Sequence, residues 1–105
     1  MKEKNSVITF GERLRVAREN AQLTLKTVAK EVGIDTSLLG KIERNERQPT
    51  KEQLRMFAAF FKLNERELLT EVLSDQFAYR IIEEQADINS LKVAEMKVKY
   101  LKSQR

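Results

Sequence analysis

The chain has no cysteine and no histidine, and among its 105 residues only one proline and three glycines. Without cysteine there are no disulfides, no thiolate nucleophile and few routes to a zinc site. Without histidine the commonest general base and metal ligand is also missing. Hydrolytic or redox chemistry would have to rest on carboxylates, lysines or an external cofactor. None of the acidic residues falls in a metal-binding or phosphate-loop motif, so neither enzyme activity nor a metal or other cofactor is expected. Scarce glycine and proline favour a chain that is helical throughout. No apolar run resembles a membrane span, and the polar start, Met1 to Ser6, does not read as a signal peptide. The expected location is the cytoplasm.

What is present is enough apolar residue, 41%, to pack one core, together with a net charge of +4. The charge is unevenly placed. Residues 1–70 hold 14 Lys/Arg against 10 Asp/Glu, which accounts for the whole excess, while residues 71–105 hold 6 of each. A basic surplus on the first two thirds suits a nucleic-acid partner there.

Helix starts are clearly written. Thr9 with Glu12 reads as a capping box, followed by Phe10, Leu14 and Ala17 on one face. Thr24 can cap a second helix with Leu25, Val28, Ala29 and Val32 inward, and Gly33 supplies the left-handed turn that ends it. Asp35 can cap a third, with Leu39 and Ile42 inward. Thr50 with Gln53 and Asn64 with Glu67 repeat the capping box, before Leu54, Phe57, Ala58 and Phe61 and before Leu68 and Leu69 respectively. Five short helices therefore fit between residues 9 and 72.

The remainder also reads as helical. Leu69, Val72, Leu73, Phe77, Ile81 and Ile82 form a broad apolar face. A polar break over Glu83 to Asn89 follows, with Asp87, Asn89 and Ser90 as possible caps. Leu91, Ala94, Val98 and Leu101 then make a short coiled-coil-like seam. The expected organisation is a flexible start (1–8), a first helical domain (9–72) and a C-terminal helical segment for pairing or packing (73–105). Fraying is expected at residues 1–6 and 103–105.

Two short helices joined by a tight glycine turn can present the second helix to the DNA major groove. That design needs a small residue at the crossing, a glycine at the turn and an apolar anchor after it. Ala29, Gly33 and Ile34 supply them in order within TVAKEVGIDTSLLGKIE.

From about Phe10 to Leu69 the chain resembles the phage-repressor and Cro-like, or xenobiotic-response-element, transcription regulators. The resemblance rests on FGERLRVARE, LTLKTVAKEVGI, KIERNERQPT and LRMFAAFFKL at matching spacings. It implies an all-α fold, a five-helix repressor-like domain with one or two further C-terminal helices. It also implies a recognition helix from Asp35 to about Arg44. Base edges would be read by Thr36, Ser37 and Lys41, with Leu38 against a thymine methyl. Phosphate contacts would come from Thr24 and the start of the second helix and from Arg44, Asn45 and Arg47, with Lys26 and Lys51 as additions. Arg18 and Glu43 align with a structural ion pair between the first and third helices.

Three positions depart from the family pattern. Leu25 stands where glutamine is usual, Glu46 where a basic residue is common, and Gly40 interrupts the recognition helix. A glycine there costs about 1 kcal/mol relative to alanine. It either lets the backbone approach DNA closely or leaves the helix softer.

A surplus of apolar residues remains. Met56, Ala59 and Phe60 stand beside the inward set of the fourth helix. With Leu69, Leu73, Phe77, Ile81, Leu91, Val98 and Leu101 they are expected in a homodimer interface, or in an intramolecular hairpin that covers the fourth helix. The function expected is a dimeric repressor or autoregulator that binds an inverted repeat in double-stranded DNA. A restriction-modification controller, a phage repressor and an antitoxin all fit. Control through a protein partner suits a chain with no ligand domain. The alternative is a protein-interaction module that keeps the fold without binding DNA.

Overall fold

The computed structural model describes residues 7–105, so the expected flexibility of residues 1–6 lies outside the described residues. The described chain is helical, with α1 Phe10–Asn20, α2 Leu25–Val32, α3 Thr36–Glu43, α4 Lys51–Phe61, α5 Glu65–Glu84 and α6 Asn89–Ser103. It divides into two compact units, one ending at Asp75 and the other running from Gln76 to Arg105.

The caps stand where their residue types place them. Thr9 Oγ1 accepts the Glu12 N–H at 3.2 Å while Glu12 Oε1 accepts the Thr9 N–H at 3.0 Å. Thr50 and Gln53 make the same reciprocal pair at 3.0 and 2.9 Å. Thr24 accepts from the Thr27 N–H, Asp35 from Ser37 and Asn64 from Glu67. Each bond satisfies a donor that the first helical turn would otherwise leave unpaired. Gly33 closes α2 at φ 75°, and the Ile34 N–H reaches back to the Ala29 carbonyl at 2.9 Å. That tight stop is what turns α3 away from α2.

The core of the first unit gathers Phe10, Leu14, Val28, Ala29, Val32, Leu39, Ile42, Leu54, Phe57, Ala58, Leu68 and Val72. Phe57 lies at its centre, fully buried, with its ring tilted against that of Phe10 at 6.3 Å between centroids. Ala17, Leu25, Phe61 and Leu69, also expected inward, are half-buried at the margin.

Gly11 explains how α1 meets α3. A methyl group there would lie 2.5 Å from the Ile42 carbonyl oxygen and 2.6 Å from that of Glu43, so only glycine fits the approach. Its N–H donates to Asn45 Oδ1 at 3.2 Å, and Asn45 Nδ2 donates to Thr9 Oγ1 at 2.9 Å. Asn45 itself turns the chain out of α3 with φ 63°. From α5, Asp75 Oδ2 accepts the Phe10 N–H at 2.8 Å, and Glu71 pairs with Arg13.

The fifth helix is longer than the sequence spacing indicates. It runs unbroken for 20 residues, because nothing between Leu69 and Phe77 stops a helix. Gln85, at φ 52°, ends it, and the Ala86 N–H bonds back to the Ile81 carbonyl at 3.0 Å. Asp87 Oδ1 then accepts the Asn89 N–H at 2.8 Å and starts α6. In the second unit Phe77, Ile81, Leu91 and Ala94 line an open recess. No residue of α6 is buried. Among the described residues no helix is long and apolar enough to cross a membrane, and no acidic cluster is placed to hold a metal.

Candidate nucleic-acid interface

The back of α3 is held rigidly. Leu39 and Ile42 are in the core, and Glu43, 7% exposed, faces Arg18 of α1. The contact is two-pronged: Arg18 Nε donates to Glu43 Oε2 at 2.8 Å and Nη2 to Oε1 at 3.1 Å. The third arm of the guanidinium, Nη1, donates to the Leu23 carbonyl at 2.9 Å. This hydrogen bonding to Glu43 raises the arginine pKa above its usual value despite burial, so the guanidinium stays charged. Both residues expected to form the ion pair are thus brought together, Glu43 buried and Arg18 half-buried.

The opposite side of α3 is open. Thr36, Ser37 and Lys41 are exposed. Ser37 and Lys41 are four residues apart and share one helical face. Leu38 is half-buried and packs partly against the core, so only part of it is free for a thymine methyl. The Ser37 hydroxyl lies 2.5 Å from Asp35 Oδ2. This bond first, and the Ser37 backbone N–H second, hold the Asp35 carboxyl below its usual range.

Most of the residues expected to hold phosphates are at the surface. Thr24, Lys26, Arg44, Arg47 and Lys51 are exposed. The Thr24 hydroxyl is engaged with Thr27 as the α2 cap, donating to its hydroxyl at 3.0 Å. The first turn of α2 carries no acidic residue, so its N-terminal N–H groups keep their attraction for anions. Asn45 is half-buried and, as described, spends its side-chain oxygen and one amide hydrogen on α1.

Glu46 does not stand alone. Arg44 Nε donates to Glu46 Oε2 at 3.1 Å and Nη2 to Oε1 at 3.4 Å. This pairing raises the Arg44 pKa and lowers that of Glu46. Both side chains are exposed, so the pair is weak and exchangeable. The Arg44 guanidinium folds back over Gly40, where a methyl group would come 3.1 Å from its Nη1. Gly40 therefore gives room to an arginine of its own helix.

Sequence reasoning missed Arg15. With Arg44, Leu25, Gly40, Asn45 and Glu12 it lines a polar recess between α1, the start of α2 and the end of α3. Its position one turn beyond Gly11 carries no local signal, because only tertiary packing brings it beside Arg44. The apolar residues expected at an interface remain partly wet. Met56, at 38%, Leu73, Phe77, Leu91, Val98 and Leu101 are exposed, while Phe60, Leu69 and Ile81 are half-buried.

A family profile described as a helix-turn-helix domain matches residues 11–74. No curated protein matches the chain. Among solved structures it is similar to the restriction-modification controller protein C.AhdI from Aeromonas hydrophila. The identity is 34% over 56% of this chain and 89% of that one, with a TM-score of 0.53. It is similar also to SinR, a master regulator for biofilm formation solved in complex with DNA, at 27% identity over 58% of this chain and 98% of that one, TM-score 0.54. A SinR/SinI complex shares the fold over 90% of this chain and 99% of that one, at 20% identity and a TM-score of 0.55. The chain belongs to the helix-turn-helix domain family, the DNA-binding transcription regulators of xenobiotic-response-element type, which are not enzymes.

Proposed function

We propose that the protein is a dimeric repressor or autoregulator that lays α3 into the major groove of an inverted-repeat operator. The observation that carries this reading is the asymmetry of α3. Its inner face is fixed by Leu39, Ile42 and the Arg18–Glu43 pair, while Thr36, Ser37 and Lys41 stand exposed on the other side. A rigid helix with a polar outer face suits direct reading of base edges. Lys41 donates to guanine acceptors, and the accessible part of Leu38 meets a thymine methyl.

Phosphates are held by Arg44, Arg47, Lys26, Lys51 and the α2 N-terminus at Thr24, with Arg15 added from α1. Asn45 contributes its one remaining amide hydrogen and chiefly anchors α1. Glu46 occupies the Arg44 guanidinium until a phosphate displaces it. Leu25 leaves the usual glutamine contact unmade, and Arg15 across the same recess supplies a charge in its place.

A single module reads only a few base pairs, whereas two modules on a two-fold axis read half-sites about 34 Å apart. The exposed faces of Leu73 and Phe77 and of Leu91, Val98 and Leu101 favour such pairing. Similarity to C.AhdI, a restriction-modification controller, favours that role over a phage repressor or an antitoxin. The setting is the cytoplasm, with control through dosage or a protein partner.

Selection of bound sites from a randomised duplex pool tests the reading. A two-fold symmetric motif is expected, with affinity that falls steeply as salt rises. Failure of the folded protein to enrich any duplex at low ionic strength would overturn it. Salt-independent capture of a protein would favour the interaction-module alternative.

A further inference from the structure

A free serine hydroxyl is an ambiguous reader. It carries one proton and two acceptor lone pairs, and it rotates to suit either a donor or an acceptor on a base edge. In this chain the Ser37 hydroxyl is not free. Its Oγ lies 2.5 Å from Asp35 Oδ2, and the same carboxylate oxygen takes the Ser37 backbone N–H at 3.1 Å. An ionised carboxylate can only accept. The single proton of Ser37 is therefore committed to Asp35, and only lone pairs remain to face outward.

We propose that Asp35 fixes the polarity of Ser37, so that Ser37 meets DNA as an acceptor and selects a base edge by its exocyclic amino group, adenine N6 or cytosine N4. The assignment rests on α3 being the helix that reads DNA, and it adds to that reading the kind of base group that Ser37 can tolerate.

Three features make this more than a helix cap. First, the Asp35 carboxyl is held below its usual range, chiefly by the Ser37 hydroxyl, so it is ionised near neutral pH and cannot return the proton. Second, Ser37 is exposed and shares its face with Lys41, whose ammonium is donor-only. The face therefore presents an acceptor at Ser37 and donors one turn further on, a directional pattern rather than two interchangeable polar groups. Third, every base pair shows one amino donor in the major groove, and its position differs with base and strand. An acceptor-only group distinguishes those positions, whereas a rotating hydroxyl accepts a donor or an acceptor at the same place. The Thr36 hydroxyl has no comparable partner among the described residues and stays permissive. Asp35 is thus a positioning residue that acts on base choice through Ser37.

The experiment uses the full chain and a duplex enriched from a randomised pool. The base pair that Ser37 faces is the one whose preference changes in Ser37→Ala. At that pair, affinity is measured at constant salt for three duplexes: natural, lacking the exocyclic amine (purine for adenine, or the deaminated-position pyrimidinone for cytosine), and lacking the purine N7 acceptor (7-deaza analogue). Loss of the amine is expected to weaken wild-type binding by about threefold to tenfold, the range of one net hydrogen bond. It should leave Ser37→Ala unchanged, while loss of N7 is expected to affect the two proteins equally.

Ser37→Thr, which keeps the hydroxyl, should restore the response to the amine. Asp35→Gly separates polarity from capping. Glycine is itself a favoured N-cap, yet it removes the carboxylate and releases the hydroxyl proton. A freed hydroxyl can donate, so that variant, with its melting temperature little changed, should tolerate a fourth duplex in which a carbonyl stands at the amine's position (hypoxanthine for adenine), which the wild type rejects. Equal responses of wild type and Ser37→Ala to amine removal would overturn the assignment. So would coupling of Ser37 to N7, or equal rejection of the carbonyl duplex by wild type and Asp35→Gly. In each of those cases the enriched duplex would still support DNA reading by α3. Failure to enrich any duplex would overturn both.

Discussion

Removing the Glu43 carboxylate should destabilise the first unit more than any surface change. Glu43 is 7% exposed and takes two hydrogen bonds from Arg18, whose side chain is 13% exposed. In Glu43→Ala the guanidinium keeps only its bond to the Leu23 carbonyl at 2.9 Å and is left as an uncompensated charge. Breaking one side of a buried pair costs about 3–5 kcal/mol. The retained carbonyl bond and residual exposure put this case at about 3 kcal/mol, the low end of that range. For a domain of this size, 1 kcal/mol lowers the melting temperature by roughly 4–8 °C, so a drop of about 12–24 °C is expected.

Thermal melting followed by circular dichroism, with urea titration to check an unchanged m-value, measures it. A companion variant isolates the cause. Replacing both partners, Arg18→Met with Glu43→Leu, removes the stranded charge and should recover most of the loss. A Glu43→Ala protein melting within about 2 °C of wild type, well inside that expected shift, would refute the reasoning. A double variant no more stable than the single one would refute it as well.

Gly11→Ala would force a methyl group against two backbone carbonyls at 2.5 and 2.6 Å. A loss of about 1–3 kcal/mol is expected, and an unchanged melting temperature would show that α1 shifts freely over α3. Glu46→Gln should free Arg44 and raise affinity for all DNA sequences alike. The salt dependence should stay near its wild-type slope in Glu46→Gln, whereas Arg44→Ala, which removes one phosphate contact, should lower the log–log slope by about 0.9. A gain confined to one sequence would contradict this. Lys41→Ala should change base preference at one position of the selected motif, and an unchanged profile would remove Lys41 from the reading face. Because the Asp35 pKa is depressed on folding, its stabilisation is present above the usual value of 3.8 and lost as pH falls through the lower folded value. Urea midpoints measured across acid pH should therefore show a smaller acid loss in Asp35→Asn, and an identical loss would remove this linkage.

Local signals account for what was legible. A capping box needs only residues three apart, so Thr9 with Glu12 and Thr50 with Gln53 could be read before any packing was known. The same holds for Gly33, where a tight stop needs a residue without Cβ strain at φ 75°. Periodicity marked Phe57, Leu39 and Ile42 as inward because a helical stripe must face something apolar. The family pattern paired Arg18 with Glu43, a contact 25 positions apart that no local rule contains. The unbroken length of α5 was less legible. Asn64 signalled its start clearly, but its end depends on Gln85 adopting φ 52°, which glutamine does not advertise.

By itself the sequence determined the helical class, the caps, the stop at Gly33 and the polar residues on the outward side of α3, since these follow from interactions within a turn or two of the chain. Tertiary structure alone decided which polar groups remain free to act. Asn45 is committed to Gly11 and Thr9, and Asp75 to Phe10. Arg15 comes to share a recess with Arg44, and Arg44 folds over Gly40. The reason is geometric: a side chain's availability depends on neighbours up to 65 positions away, and those meet only once the core has closed.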